Sequence, residues 1–245
     1  MDYKRKYHII IGSKAFFDRS LLNFSKDDEV YNFLELVKLS DATKQSHNTF
    51  DEYADKLIVK KNNYHAIVET AHDRLGSLIE DLTTDDAEIY IHNPPRVLKD
   101  YLEDQYSRSL IELDIKTEEY GIKRDSEMFV HNIASISSVL FGQQNAIEQI
   151  SKSLWYLTTV KRKKPYVIML YGNSSLGKTE LVKEIKKNFF NNRCLEKHLS
   201  MFKNNNYSEY FFGDAPNRKS LGFDLLERES NLIFFDELDK CPEHF

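Results

Sequence analysis

The sequence predicts an α/β fold: a parallel sheet sandwiched by helices, preceded by a smaller α/β domain. Three observations predict it. Short β-branched runs alternate with stretches of helical periodicity, a glycine-rich loop joins one such run to a helix, and a later apolar run ends in two adjacent carboxylates. At 245 residues the chain has room for two modest domains, since domains commonly run to about 100–150 residues each.

The first run, Tyr7-His8-Ile9-Ile10-Ile11-Gly12, is β-branched, short and closed by glycine, which reads as a buried strand entering a loop. Val30, Phe33, Leu34 and Val37 recur at helical spacing. So do Ile67, Leu75, Leu78, Ile79 and Leu82. A second strand, Ala87-Glu88-Ile89-Tyr90-Ile91-His92, stops at Asn93-Pro94-Pro95. Val97, Leu98, Tyr101 and Leu102 then mark another helix. The polar stretch 116–125 and the amphipathic run 128–140 divide the chain into an N-terminal α/β domain (1–120), a linker helix (121–138) and a core (139–245). His8, His65, His72 and His92 are scattered without ligand spacing, so the first domain offers no metal or catalytic constellation.

Composition narrows the function classes. A formal net charge of -5, from 34 Lys and Arg against 39 Asp and Glu, argues against a whole-molecule nucleic-acid binder, which needs a concentrated positive surface, and leaves room only for local patches. The one dense basic run, Lys161-Arg162-Lys163-Lys164, precedes an apolar strand and reads as a solvated turn. Cys194 and Cys241 form neither a disulfide framework nor a zinc-ligand spacing, which suits a reducing, cytoplasmic setting. The apolar run near the N-terminus is too short for a signal h-region or a membrane span, so no membrane partner is expected.

The residues that carry chemistry lie in the core. Gly172-Asn173-Ser174-Ser175-Leu176-Gly177-Lys178-Thr179 meets the spacing G-x-x-x-x-G-K-[ST] at every required position. Tyr166-Val167-Ile168-Met169-Leu170-Tyr171 upstream reads as a strand, and Leu181, Val182, Ile185 and Phe189 downstream as an amphipathic helix. Glycines let the backbone wrap an anion, and successive N–H groups at the helix start point positive dipole at phosphates. Lys178 would reach the β- and γ-phosphates of ATP, and the Thr179 hydroxyl would help to coordinate Mg²⁺.

Further on, Leu232-Ile233-Phe234-Phe235 is followed by Asp236-Glu237, a buried parallel strand ending in two carboxylates. Ligands of open α/β sheets bind at the carboxyl ends of strands, which would bring this pair beside the phosphate loop. Two carboxylates serve two tasks: Asp236 would hold the Mg²⁺ shell and Glu237 would polarise the water that attacks the γ-phosphorus.

Together these stretches resemble the AAA+ ATPases, and within them the Clp-type unfoldase branch. Val139-Leu140-Phe141-Gly142-Gln143-Gln144-Asn145-Ala146-Ile147 is similar to the branch's V-x-G-Q-x-x-A opening. Gly172 through Lys178, Thr179, Glu180 and Leu181 matches its G-x-x-x-x-G-K-T-E-L loop, and the run from Phe235 to Phe245 is similar to D-E-I-E-K-x-H-P-x-x-F. The resemblance implies adenine contact for Leu140 and Phe141, nucleotide contact for residues 172–180, Mg²⁺ coordination by Thr179 and Asp236, and catalysis by Lys178 and Glu237. It also implies a homo-oligomeric ring when full length and remodelling of a macromolecular partner.

Two departures qualify this. Where the branch has a Gly-aromatic-Val-Gly pore loop, this chain has Gly213-Asp214-Ala215-Pro216-Asn217-Arg218-Lys219-Ser220-Leu221-Gly222-Phe223. The family's sensor residue, arginine finger and helical lid follow the second acidic motif, so the core is expected to be C-terminally truncated and to bind ATP without turnover. A nucleotide-controlled interaction protein without threading, and a DNA-linked or phage-defence ATPase, are the alternatives.

Overall fold

Strand β1 (Lys6–Ile11) is central to a parallel sheet because its alternating side chains are wanted on both faces: Tyr7, Ile9 and Ile10 are all buried. The computed structural model of the protein describes residues 4–22, 24, 29–46, 52–67, 69–160, 162, 164–173, 175–202, 206–213 and 220–240. These form two compact units, unit 1 from Met1–Glu118 with Phe212–Glu227, and unit 2 from Glu119–Phe211 with Arg228–Phe245.

In unit 1, β1 leads through α1 (Lys14–Ser20) to β2 (Tyr31–Asn32), α2 (Phe33–Gln45) and β3 (Ala54–Val59). Then come α3 (Leu75–Glu80), β4 (Thr83–His92), α4 (Arg96–Ser107) and β5 (Glu112–Thr117). Among the described residues the sheet order is β2-β3-β4-β1-β5, and every pairing is parallel. Local chemistry sets the helix starts: Ser13 Oγ accepts from Phe16 N at 3.2 Å and Asn32 Oδ1 from Leu34 N at 3.2 Å, while Pro95 precedes α4. The core joins Ile9, Leu57, Val59, Ile89 and Ile91 of the strands to Phe33, Leu36, Ile79, Leu98 and Leu102 of the helices. Burying each such side chain stabilises the unit by about 1.5–3 kcal/mol before entropy is counted.

The chain leaves β1 for one edge of this sheet and leaves β4 for the other. The carboxyl end of β1 is therefore the kind of switch point where open α/β sheets bind ligands. Here it is filled by the protein's own polar groups. Asn93 Nδ2 donates to Gly12 O at 2.8 Å and Gly12 N donates to Asn93 Oδ1 at 3.0 Å. Ser13 N and Oγ both donate to Glu118 Oε2, at 2.8 and 2.7 Å. A Cβ on Gly12 would lie 2.6 Å from that of Glu118, so the backbone fits there only without a side chain. His92 stacks on Phe17 at 4.5 Å with its Nε2 3.0 Å from Gly12 O, and His8 lies between Glu88 and Asp114. Both histidines are tied into the framework.

Unit 2 contains α5 (Ser126–Val139), α6 (Gln144–Thr159), α7 (Lys178–Phe189), β6 (Leu195–His198), α8 (Asn206–Phe212) up to Phe211, and β7 (Ile233–Asp236). Asp125 caps α5 by accepting from Met128 N at 3.0 Å. Its core packs Phe129, Ile136, Leu140, Ile147, Ile150 and Leu154 against Leu181 and Ile185. β6 and β7 pair in parallel, with His198 opposite Asp236. The last helix, α9 (Leu221–Glu227), belongs to unit 1.

Three sequence expectations are corrected, and three strands went unread. The stretch 166–171 forms no strand; Val167, Met169 and Tyr171 are exposed, because a strand needs a neighbour for its N–H and C=O groups and the only described ladder in unit 2 joins β6 to β7. β7 is partly rather than fully buried, since β6 covers one edge alone and Phe235 remains 37% exposed. The helix expected across 67–82 is a 3₁₀ turn, Glu69–Arg74, followed by the short α3. The strands β3, β5 and β6 were not legible, because charged residues interrupt their alternation. No helix among the described residues is long and apolar enough to cross a membrane.

Candidate functional site

The phosphate-loop motif lies immediately before α7. Gly177, at φ +83, is the residue that precedes its first turn, and Ser175 at φ +63 and Gly172 at φ +140 bend the loop ahead of it. Open space surrounds Gly177, so conformation rather than crowding demands glycine there. Leu181, Val182 and Ile185 face the core and fix α7, and with it the loop. Lys178, the first residue of α7, lies back across the loop, with Nζ donating to Gly172 O at 2.8 Å and Asn173 O at 2.7 Å. Thr179 is half-buried beside it, and Glu180 pairs with Lys183 at 3.2 Å. Ser174 lies outside the described residues, as do Lys161, Lys163, 214–219 and 241–245.

A second contact supports the loop. Gln143 Nε2 donates to Leu176 O at 2.8 Å, tying the turn before α6 to the middle of the motif. This role had no local signature in sequence, because it depends on where the two loops meet. Leu140 and Phe141, named together for adenine contact, have different environments: Leu140 is a core residue, and Phe141 is 85% exposed.

The acidic pair ends β7. Asp236 Oδ1 accepts from Glu237 N at 2.9 Å, and its other oxygen lies 3.7 Å from His198 Nδ1 across the ladder. Glu237 adopts φ +58, a left-handed conformation that costs a non-glycine residue about 1–3 kcal/mol. Its carboxylate is held at both oxygens, Lys240 Nζ on Oε1 and Ser200 Oγ on Oε2. These hydrogen bonds, Lys240 first and Ser200 second, hold Glu237 below the usual carboxylate range. Lys240 is correspondingly raised. Among the described residues no hydrogen bond or ion pair joins the phosphate loop to the acidic pair; each set is organised by its own neighbours.

The oxygen donors present, the Thr179 hydroxyl and the Asp236 carboxylate, fit Mg²⁺, which takes few protein ligands and completes its shell with water and phosphate oxygens. An all-protein cage is not expected of such a site. Among the described residues no group of three or more His, Cys, Asp or Glu is placed to hold a metal.

Residues 168–244 match the model of the family described as ATPase family associated with various cellular activities (AAA). The match spans both the phosphate-loop motif and the acidic pair. No curated protein and no solved structure matches the chain.

Proposed function

We propose, taking as premise that residues 168–244 form an AAA module with the architecture of a P-loop NTPase, that this protein binds Mg²⁺-ATP and hydrolyses it. The observation that carries the reading is a full phosphate-loop motif opening α7, in one matched segment with a strand that ends in Asp236-Glu237. Residues 172–180 wrap the phosphates, with Lys178 exchanging its two loop carbonyls for phosphate oxygens. Thr179 and Asp236 would hold Mg²⁺, which when bound would supply positive charge to offset the charge developing on the phosphate. Glu237 orients the attacking water, and the Lys240 and Ser200 hydrogen bonds that hold it below the usual carboxylate range keep it in the carboxylate form at neutral pH. Phe141, being exposed, is the better placed of the two adenine candidates to meet a ligand.

Isothermal titration of the chain with Mg²⁺-ATP tests this. Lys178→Ala removes the one full positive charge of the motif and is expected to abolish measurable binding. Binding equal to that of the unaltered chain would sink the assignment.

Coupling of hydrolysis to a partner, and assembly into a ring, follow from the Clp-type resemblance and form part of the proposal. The chain lacks the Gly-aromatic-Val-Gly loop between its two motifs, which favours a nucleotide-controlled interaction protein over a threading machine. ATP-driven unfolding of a tethered protein would reject that second reading.

A further inference from the structure

The sequence between the phosphate loop and the acidic pair does not stay in one unit. Phe212–Glu227 belongs to unit 1, although the residues on either side of it belong to unit 2. Within that stretch α9 starts on its own cap, Ser220 Oγ accepting from Phe223 N at 3.3 Å. It is held by one residue of unit 1 in particular, Lys61, at the carboxyl end of β3.

Lys61 is not an ordinary surface lysine. Its side chain is 7% exposed, and its ammonium donates to Phe223 O at 2.9 Å, lies 3.2 Å from the centroid of the Phe223 ring and pairs with Glu227 Oε1 at 3.3 Å. Glu227 Oε2 in turn accepts from Lys14 N at 3.3 Å. Burial pushes the Lys61 ammonium below the ordinary lysine range, and Glu227 of α9 opposes that shift. One buried cation thus grips a backbone carbonyl, an aromatic face and a carboxylate of the same short helix.

The chain passes between units at three points, and the two after Glu118 and after Glu227 are followed inside unit 2 by residues of one cluster. Tyr120, just beyond Glu118, donates its hydroxyl to Arg228 O at 2.5 Å. Its own carbonyl accepts from Asn231 Nδ2 at 2.6 Å, and the Arg228 guanidinium lies 5.4 Å from its ring centroid. From Arg228 the chain continues directly into β7 and Asp236.

We propose that α9 is a coupling strap: its docking on Lys61 and nucleotide binding by the phosphate loop and acidic pair are linked through the chain that runs from Arg228 into β7, so that occupancy of the nucleotide site is communicated to unit 1. The proposal rests on the nucleotide reading above. Its two-state element is the strap, docked or released, and linkage is reciprocal: whatever nucleotide does to docking, loss of docking does to nucleotide affinity by the same factor.

The test uses the whole chain, a fluorescent ATP analogue for affinity and hydrogen exchange for docking. Saturating analogue with Mg²⁺ is expected to change exchange in 221–227 by about fivefold or more, the lower end of typical coupling. Lys61→Met and Glu227→Gln, which attack the grip from opposite sides, are expected to remove that nucleotide dependence and to shift the analogue's Kd by a matching factor. Protection of β3 serves as the control for an intact unit 1; if Lys61→Met fails it, Glu227→Gln and the unaltered chain decide. Binding of the analogue with unchanged exchange in 221–227, or with the same Kd in the variants, overturns the strap and leaves the nucleotide reading standing. No binding by the unaltered chain overturns the nucleotide reading and the strap with it.

Discussion

Glu237 carries more constraint than any other residue of the proposed site. A left-handed backbone, a hydrogen bond from Ser200 and an ion pair with Lys240 converge on it. Because its folded pKa lies below the unfolded one, its contribution to stability is fully present above the unfolded value, about pH 4.3, and is lost as pH falls through the folded value. Ser200→Ala removes one of the two anchors, so the titration midpoint of Glu237 should rise towards the ordinary value. Carboxyl-carbon NMR of glutamate-labelled protein reads this directly, and an unmoved midpoint would mean that Ser200 does not hold the carboxylate. The phosphate loop and Asp236-Glu237 were legible as residues because their chemistry is written in contiguous sequence. Ser200, His198 and Gln143 were not, since each acts through a neighbour brought close only by the fold.

Among the elements, α7 joins motif to core. Its apolar face, Leu181, Val182 and Ile185, was visible in the sequence as a 3.6-residue period and packs as that period requires. Ile185→Ala should cost about 2–4 kcal/mol through lost packing and a residual cavity. The single Trp155 packs edge-on against Phe129 at 5.1 Å in the same core, so its fluorescence reports the loss selectively. A denaturant midpoint unchanged in that signal would show that α7 is not anchored as described. Strand-level reading was less successful for a physical reason. A strand is defined by its partner as much as by its own residues, and 166–171 has the composition of a strand without a described ladder, whereas β5, with Glu112, Asp114 and Lys116, has the ladder without the composition.

For the whole molecule, the two units have different means of support. Unit 1 buries a five-stranded parallel sheet among its described residues, with many side chains at 0% exposure, whereas the described sheet of unit 2 has two strands and its core residues are mostly a few per cent exposed. Calorimetry should therefore resolve a lower transition from unit 2, followed by Trp155, and a higher one from unit 1. Mg²⁺-ATP at a hundredfold excess over its Kd should stabilise the lower transition by about 2.7 kcal/mol. A single transition insensitive to nucleotide would contradict both statements. The division of the sequence into parts was readable only as linear segments; that Phe212–Glu227 returns to unit 1 is a property of contacts, and periodicity carries no information about it.

That return has a consequence for how the gene divides. No single cut separates the two units: a fragment ending at 118 leaves the ammonium of Lys61 without the carbonyl, ring and carboxylate that surround it, and one beginning at 119 carries α9 with nothing to receive it. Recombination with one crossover would likewise exchange an incomplete unit.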